Sequence, residues 1–281
     1  MALRNERLAF IGCGAMAEAM VKGLLVQELV SPEQIVASNP REDRVQELVD
    51  RYAIRATTSN REAASGASIV NVAVKPQFFG EVVEDLESAL DPSTLVLTIV
   101  AGVRMKRVAD GLATPKVVRV MPNTPGQIGR GISVWTATGA VDDAEYDRTR
   151  AILSALGSEV YVTHEDELDR ATALSGTGPP YVFLFMEARV DAGVHMGFSR
   201  RVATGLVSET ILGSVEYAAS TTDHLAKLRN QVTSPGGTSA DAVYQLERGR
   251  LRTVLTDAVW AAYRRSVQLG EMAGPDHEVR E

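Results

Sequence analysis

The chain has 281 residues, of which 45% are hydrophobic and 23% are charged, and its formal net charge is −7. This is the composition of a globular protein, long enough for two modest domains. Because the chain is acidic and contains no run of basic residues, its composition argues against a nucleic-acid partner held by a basic surface.

Short apolar runs alternate with helical patterns over residues 7–120. The runs that predict strands are Leu8–Ile11, Ile35–Ser38, Ile69–Val74, Leu95–Val100 and Val117–Met121. Helical patterns lie between them, as at Glu42–Tyr52 and Phe78–Leu90. This repetition predicts an α/β fold, a Rossmann-like doubly wound parallel sheet with helices on both faces. Two further strands, Ile132–Thr136 and Glu159–Val162, are predicted around a helix at Asp143–Leu156.

A glycine-rich motif follows the first predicted strand. In LAFIGCGAMAEAM the pattern G-x-G-x-x-A is formed by Gly12, Gly14 and Ala17. The first glycine permits a tight turn, the second lets the backbone approach a pyrophosphate, and the small third residue lets the helix pack on the strand. The helix then points its free N–H groups at the phosphates. We therefore expect Gly12, Gly14, Ala15, Met16 and Ala17 to contact a dinucleotide.

The end of the second predicted strand, in VASNPRED, indicates which dinucleotide is preferred. An NAD site usually carries an acidic residue here, which binds the ribose hydroxyls of the adenosine. This chain has Ser38, Asn39 and Arg41 instead. These side chains donate hydrogen bonds to a 2′-phosphate, and arginine adds a positive charge, so we expect NADP, with NADPH preferred over NADH. A solvated arginine at a helix start is the other interpretation of Arg41.

Three later strand ends are candidate cofactor contacts, because ligands of doubly wound sheets bind beyond the carboxyl ends of the strands. VAVKPQ places Val74, Lys75 and Pro76 at one such end. Ala101 follows the strand ending at Val100, and Pro122 follows the strand ending at Met121. Pro76 is also typical of the first position of a helix. Lys75 is interpreted either as a phosphate or substrate contact or as an ordinary surface lysine.

Strand patterns end near residue 163, and helical patterns continue from there. Helices are expected roughly over 180–196, 200–219, 222–230, 239–247 and 250–270. We place a dinucleotide-binding domain at 1–163 and an all-α domain at 164–281. Apolar stretches such as YVFLFMEARVDAGV contain few charges, so Phe183, Leu184 and Met186 are expected in a core or in a dimer interface. EDELDR at 165–170 is expected to be a solvated helix start.

Five segments together resemble one enzyme family. They are IGCGAMAEAM, AVKPQ, RVMPNTP, LSGTGPPYVFLFMEARVDAG and LRNQVTSPGGTSADAVYQLE. In this order the chain, over about residues 7–271, resembles pyrroline-5-carboxylate reductase. The resemblance implies NAD(P)H-dependent reduction of the cyclic imine Δ1-pyrroline-5-carboxylate to L-proline. It also implies a helical domain through which subunits form a homodimer, often within a larger ring of dimers. Cofactor contact by Asn60 and substrate binding by Ser234–Ser239 are implied as well.

The segment SPGGTS suits a substrate that carries a carboxylate. Consecutive backbone N–H groups bind a carboxylate, and Gly236 and Gly237 leave them unobstructed. A helix that begins around Ser239 adds unpaired N–H groups and the positive end of its dipole. Without the family resemblance, the same residues predict a helix-breaking turn in which Thr238 or Ser239 is an ordinary N-cap.

The hydroxyls of this segment come from Ser234, Thr238 and Ser239. The family usually has threonine at the last of these positions, close to the ring nitrogen, and this chain has serine. By this resemblance we expect Ser239, with Thr238, to be catalytic, and Ser239 to hydrogen-bond the imine or amine nitrogen. A protonated imine is already electrophilic, so binding and orientation are expected to supply most of the rate.

Several departures from the family pattern leave alternatives open. Pro180 stands where alanine is usual, Ala242 where glycine is usual, and Leu225 where proline is usual. A related cyclic imine carboxylate is therefore an alternative substrate, and a non-catalytic NADPH-binding or sensing protein is an alternative of another class. A β-hydroxyacid dehydrogenase would require a lysine on the first helix of the second domain, and residues 164–226 contain none.

The remaining residues suggest a cytoplasmic protein. Cys13 is the single cysteine, so no disulfide forms within the chain, and we interpret this thiol as a small apolar filler. MALRNERLAFIGCG lacks the apolar run of a signal peptide, and no stretch reaches the roughly 18 apolar residues of a membrane helix. The four histidines are scattered without metal-binding spacing. We expect no metal site and no membrane partner.

Overall fold

The computed structural model describes residues 2–272. Its eight strands are β1 Leu8–Ile11, β2 Ile35–Ser38, β3 Arg55–Thr57, β4 Ile69–Val72, β5 Leu95–Thr98, β6 Val117–Met121, β7 Gly131–Ala137 and β8 Gly157–Tyr161. The first seven helices are α1 Ala15–Val26, α2 Glu42–Tyr52, α3 Asn60–Ala64, α4 Phe79–Leu86, α5 Met105–Leu112, α6 Asp143–Ser154 and α7 Glu167–Ala171. The other five are α8 Gly178–His195, α9 Arg200–Ala219, α10 Leu225–Gln231, α11 Thr238–Arg248 and α12 Leu251–Met272.

All eight strands form one sheet in the order β3-β2-β1-β4-β5-β6-β7-β8. The strands from β3 to β6 pair in parallel, which confirms the doubly wound fold. The strand order reverses between β1 and β4, which is where a doubly wound sheet opens a crevice for a ligand. β7 runs antiparallel to β6. A short connection can join two antiparallel strands, whereas two parallel strands need a longer crossover.

Both faces of the sheet are covered. On β1, Leu8 and Phe10 pack into one buried cluster, and Ala9 and Ile11 pack into the other. Successive side chains of a strand point to opposite faces, so an unbroken apolar run is required where both faces are buried. The apolar strands thus form a sheet that is buried on both faces. Because β1, β2, β4 and β5 are parallel, their carboxyl ends lie at the same edge of that sheet.

Two elements of the first half were not predicted. β3 has only three residues, none of them fully buried, so its apolar pattern is too weak to indicate a strand. α3 is short and begins after Ser59, whose hydroxyl accepts a hydrogen bond from the Glu62 N–H. The predicted helix at Phe78–Leu90 is instead a 3₁₀ turn, Pro76–Phe78, followed by α4, which ends at Leu86.

The chain divides into two compact units, Met1–Thr177 with Ala262–Glu281, and Gly178–Ala261. α12 therefore begins in the second unit and ends in the first. The domain boundary at 163/164 stays a prediction, because the end of a strand pattern and the division of the chain by contacts are different criteria. The expected change to helices is confirmed, because within residues 2–272 no strand follows Tyr161.

The second unit is helical, with a small core. α8 packs on α9, and Val190, Ala203 and Val207 are the centre of the buried cluster between them. Phe183 and Leu184 are 59% and 66% exposed, so they do not belong to that core. Met186 is partly buried against the cluster. Among the helices of residues 2–272, none is long and apolar enough to cross a membrane.

Candidate functional site

The glycine-rich turn after β1 forms a cradle of backbone N–H groups. Gly12 has φ +76°, and a Cβ on it would overlap the Val74 side chain, so only glycine fits there. A Cβ on Gly14 would have no neighbour closer than the Gly12 carbonyl oxygen at 3.9 Å. Gly14 is the N-cap of α1 and makes no side-chain cap. The N–H groups of Ala15, Met16 and Ala17 have no acceptor within residues 2–272.

These features fit a dinucleotide phosphate. The turn brings backbone donors and the positive end of the α1 dipole to an open surface, and no side chain blocks the approach at Gly14. Ala17 is buried, as the packing of helix on strand requires, while Ala15 is exposed and Met16 is partly buried. The predicted roles of the motif residues therefore agree with the local geometry.

Ser38 is placed differently from the prediction. Its side chain is fully buried, and its hydroxyl accepts a hydrogen bond from the Gly12 N–H at 3.3 Å and donates one to Asn60 Oδ1 at 2.7 Å. Asn60 Nδ2 donates in turn to Asp85 at 2.8 Å. This chain of hydrogen bonds supports the glycine turn from beneath. We therefore correct the direct 2′-phosphate contact of Ser38 to a supporting role.

Asn39 and Arg41 lie at the surface just beyond β2. Asn39 Nδ2 donates to the Cys13 carbonyl at 3.3 Å, and its Oδ1 accepts from the Arg41 N–H at 3.1 Å. The Arg41 guanidinium is 68% exposed and forms a two-bond ion pair with Asp43. The hydrogen bond from Arg41 holds the pKa of Asp43 below its usual range. A 2′-phosphate that binds Arg41 therefore competes with Asp43.

A cleft of about 440 Å³ lies over the carboxyl ends of β1, β2 and β4. Of the predicted cofactor residues it is lined by Gly12, Gly14, Asn39, Asn60, Val74 and Lys75. It is also lined by seven residues that were not predicted: Pro40, Thr58, Ala73, Phe78, Glu81, Val82 and Asp85. Thr58 directly follows β3, so recognising that strand would have identified it. Glu81 and Asp85 are one turn apart on α4, a spacing that places both on one face.

Pro76, Ala101 and Pro122 do not line this cleft, and Lys75 stands at its edge. Lys75 is exposed and caps the 3₁₀ turn that begins at Pro76, which confirms Pro76 as a first helical position. Ala101 and Pro122 are partly buried at the carboxyl ends of β5 and β6. A larger cleft of about 710 Å³ lies between α4 and α5. It contains none of the predicted residues.

In the second unit, Ser234–Gly237 forms a turn before α11, and Thr238 and Ser239 are the first two residues of that helix. Gly236 has φ +69°, and the Gly237 N–H donates to the Ser234 carbonyl at 3.1 Å. The N-cap is Gly237 rather than Thr238 or Ser239, and it provides no side-chain cap. The hydroxyls of Ser234, Thr238 and Ser239 have no protein partner within residues 2–272, and neither have the N–H groups of Thr238 and Ser239. The interpretation as an ordinary side-chain N-cap is therefore wrong.

Two further predicted features can be compared with the structure. Cys13 is fully buried, and burial raises the pKa of its thiol to about 12, as expected of an inert filler. The expectation that residues 165–170 are solvated is wrong in part, because Leu168 and Asp169 are buried. Within residues 2–272 no three histidine, cysteine or carboxylate side chains converge on a metal site.

Comparisons with known proteins show which enzymes this chain is similar to. Residues 165–269 match a family model described as pyrroline-5-carboxylate reductase dimerisation, and residues 7–102 match one described as NADP oxidoreductase, coenzyme F420-dependent. A pyrroline-5-carboxylate reductase of Synechocystis is 38% identical, with 94% of this chain and 98% of that protein covered.

Two solved structures are similar over nearly the whole chain. A pyrroline-5-carboxylate reductase from Coxiella burnetii has a TM-score of 0.86 at 34% identity, and the match covers 94% of this chain and 98% of that one. The Plasmodium falciparum pyrroline carboxylate reductase, solved with NADP bound, has a TM-score of 0.86 at 31% identity, and the match covers 95% and 98%.

Proposed function

This chain belongs to the pyrroline-5-carboxylate reductase family, and we propose that it reduces Δ1-pyrroline-5-carboxylate to L-proline with NADPH preferred over NADH. It is an oxidoreductase of proline biosynthesis that acts on a C=N bond. The observation that carries the proposal is the presence, in one chain, of an open glycine cradle at Gly12–Gly14 and of a second segment, Ser234–Ser239, in which the N–H groups of Thr238 and Ser239 have no acceptor among residues 2–272. One suits a dinucleotide and the other a small carboxylate.

The cofactor is held by residues of the first unit. The N–H groups of Ala15, Met16 and Ala17 take a phosphate, and Asn60 keeps Ser38 and the Gly12 turn in place. Asn39 and Arg41 face the adenosine end, where the guanidinium favours a 2′-phosphate. When bound, the reduced nicotinamide supplies the hydride for the imine carbon. The solved Plasmodium relative with NADP bound supports this choice of cofactor class.

The substrate is held by the turn Ser234–Gly237 and by the first residues of α11. The N–H groups of Thr238 and Ser239, with the dipole of α11, bind the carboxylate, and Ser234 adds a hydroxyl. The Ser239 hydroxyl donates to or accepts from the ring nitrogen, which keeps the imine oriented. Because a protonated imine already attracts a hydride, these groups need to bind and orient rather than to transfer a proton in a difficult step.

We further propose that the active protein is a homodimer formed through the second unit. This dimer either stands alone or belongs to a larger ring of dimers. The family model that matches residues 165–269 describes dimerisation, and many apolar side chains of α8 and α9 are exposed in the single chain. A single cysteine suits a cytoplasmic location.

NADPH oxidation at 340 nm with Δ1-pyrroline-5-carboxylate tests the function. NADH and a six-membered imine carboxylate are run in parallel. We expect fast turnover of the five-membered substrate and a higher kcat/KM with NADPH. Preferred turnover of the six-membered imine would instead support the related-imine alternative, which the departures at Pro180, Ala242 and Leu225 leave open. Tight NADPH binding without any turnover would indicate a sensor.

A further inference from the structure

A buried ionic cluster lies beside the carboxyl ends of β5 and β6, and the function above does not use it. At its centre is Arg119 on β6, which is 2% exposed. Its Nη1 donates to Glu165 Oε1 at 2.9 Å, and its Nη2 is 3.8 Å from Asp169 Oδ1. Asp169 is itself 3% exposed. Charges this deeply buried persist only where the surrounding groups hold them in a fixed geometry.

The cluster joins four elements. Glu165 Oε1 also accepts a hydrogen bond from the Met105 N–H at 2.8 Å, which is the first backbone donor of α5. Arg104, the N-cap of α5, pairs with Asp166 at 2.5 Å and with Asp169 at 3.4 Å. Ser266 on α12 donates to Asp169 at 2.8 Å. β6, the start of α5, α7 with its preceding turn, and the end of α12 are thus fastened at one place.

A second contact restrains the same turn. Gly102 has φ +76°, and a Cβ on it would lie 3.1 Å from the Leu269 carbonyl carbon. A Cβ on Gly270 would lie 3.3 Å from the Gly102 carbonyl oxygen. The backbone of α12 therefore packs directly on the turn between β5 and α5. Ala101, which we expect to contact the cofactor, stands in this turn between Val100 and Gly102.

The position of the cluster in the sheet separates it from the adenosine end of the cofactor. The adenosine end is assigned to β1, β2 and β3, and the cluster lies on the other side of the reversal point, at β5 and β6. A dinucleotide lies across that reversal, so its two halves meet different strand ends. Groups that fix the β5 and β6 ends therefore act on the nicotinamide half.

We propose that Arg119, Glu165 and Asp169 are positioning residues that hold the β5–α5 turn for the nicotinamide half of the cofactor site. This inference rests on the proposed function, because it assumes that a nicotinamide dinucleotide occupies the strand ends. The residues act through the backbone of Met105 and through the turn that contains Ala101, rather than by touching substrate.

The test compares Glu165→Gln with a matched control. Glu145→Gln breaks a second ion pair, which lies at the other end of β6: Glu145 on α6 is 3% exposed and pairs at 2.6 Å with Lys116, the residue before β6. Both variants lower the melting temperature. We expect only Glu165→Gln to lower kcat, by about tenfold, as a misplaced reacting group does. Ser266→Ala is a milder variant in the same cluster and should lower kcat by a smaller factor.

A binding measurement gives a readout that does not depend on turnover. Fluorescence titration should show weaker NADPH binding by Glu165→Gln, by about threefold, with unchanged affinity for 2′,5′-ADP, which contains only the adenosine half. The proposal is overturned if folded Glu165→Gln and Ser266→Ala keep wild-type kcat and NADPH affinity, or if 2′,5′-ADP binding falls equally. Absence of imine reduction by the wild type would reject the proposed function, whereas the comparison of the two ligands would still decide the positioning role.

Discussion

Arg41 offers the 2′-phosphate an exposed guanidinium that already has an acidic partner. We expect Arg41→Gln to weaken NADPH binding by about tenfold and to leave NADH binding unchanged, because a charge-assisted bond to the phosphate is lost. Asp43→Asn is the companion variant with the opposite expected effect. It removes the ion pair with Arg41, so it should tighten NADPH binding. Fluorescence titration of both nucleotides measures these effects. Equal weakening of NADPH and NADH by Arg41→Gln would contradict the assigned role.

Ser239 is the second residue of α11, with a hydroxyl that has no partner within residues 2–272. Ser239→Ala should lower kcat/KM for the imine by about 10- to 100-fold, the range for one hydrogen bond to a charged group, with NADPH affinity unchanged. Ser239→Thr keeps the hydroxyl and should keep most of the activity. Steady-state kinetics and NADPH titration check both variants. If turnover and NADPH binding fell together in Ser239→Ala, the role in orienting the imine would be rejected.

Single residues show where sequence reasoning succeeds and where it fails. Gly12 and Gly14 were predictable, because a tight turn and an open phosphate approach impose glycine on the backbone itself. Ser38 was misassigned, since a strand-end hydroxyl suits a ligand contact and a buried support equally well. Its hydroxyl donates to Asn60, which lies 22 residues further along the chain. Asp169 was expected in solvent for a similar reason, because its partners Arg119 and Ser266 are distant in sequence.

At the level of elements, the two glycines of the turn between β1 and α1 have different physical roles. Gly12→Ala forces φ +76° on a residue with a Cβ that overlaps Val74, so it should cost about 1–3 kcal/mol of stability and abolish cofactor binding. Gly14→Ala meets no protein atom closer than 3.9 Å and should leave the melting temperature unchanged. It should still weaken NADPH binding, because its methyl group occupies the phosphate approach.

Thermal unfolding and NADPH titration of the two glycine variants distinguish these effects. A Gly14→Ala protein with wild-type NADPH affinity would show that the phosphate does not approach this turn. A Gly12→Ala protein with wild-type stability would show that the strained backbone relaxes. The two variants differ by one methyl group each from the wild type, so each is the control for the other.

The elements themselves were predictable where their pattern was long and apolar. β1, β2 and β6 have the predicted bounds, because most of their residues are apolar and are buried in the sheet. β3 was missed because its three residues lie beside β2 without being fully buried. The direction of β7 depends on how the chain returns after Met121, and no local pattern encodes that choice. The α11 start was off by one residue, since Gly237 and not a hydroxyl residue is the N-cap.

At the scale of the whole molecule, α9 carries apolar side chains that no other part of residues 2–272 buries. Ala203 and Val207 are buried against α8, whereas Leu206 and Val215 are 53% and 62% exposed. A helix with apolar residues all round is typical of one that is buried by more than one neighbour. The second unit has few fully buried side chains of its own, so a second copy of this unit is the partner that best accounts for these surfaces.

Substitution of this surface tests the dimer. Leu206→Arg places a charge on the proposed interface and should convert the dimer to a monomer at micromolar concentration, because an unpaired charge is costly to bury. Val26→Arg is the matched control, since Val26 is 73% exposed and lies at the end of α1 in the first unit. Size-exclusion chromatography with light scattering gives the mass of each variant. A wild-type protein that is already monomeric, or a Leu206→Arg protein with the mass of a dimer, would place the interface elsewhere or remove it.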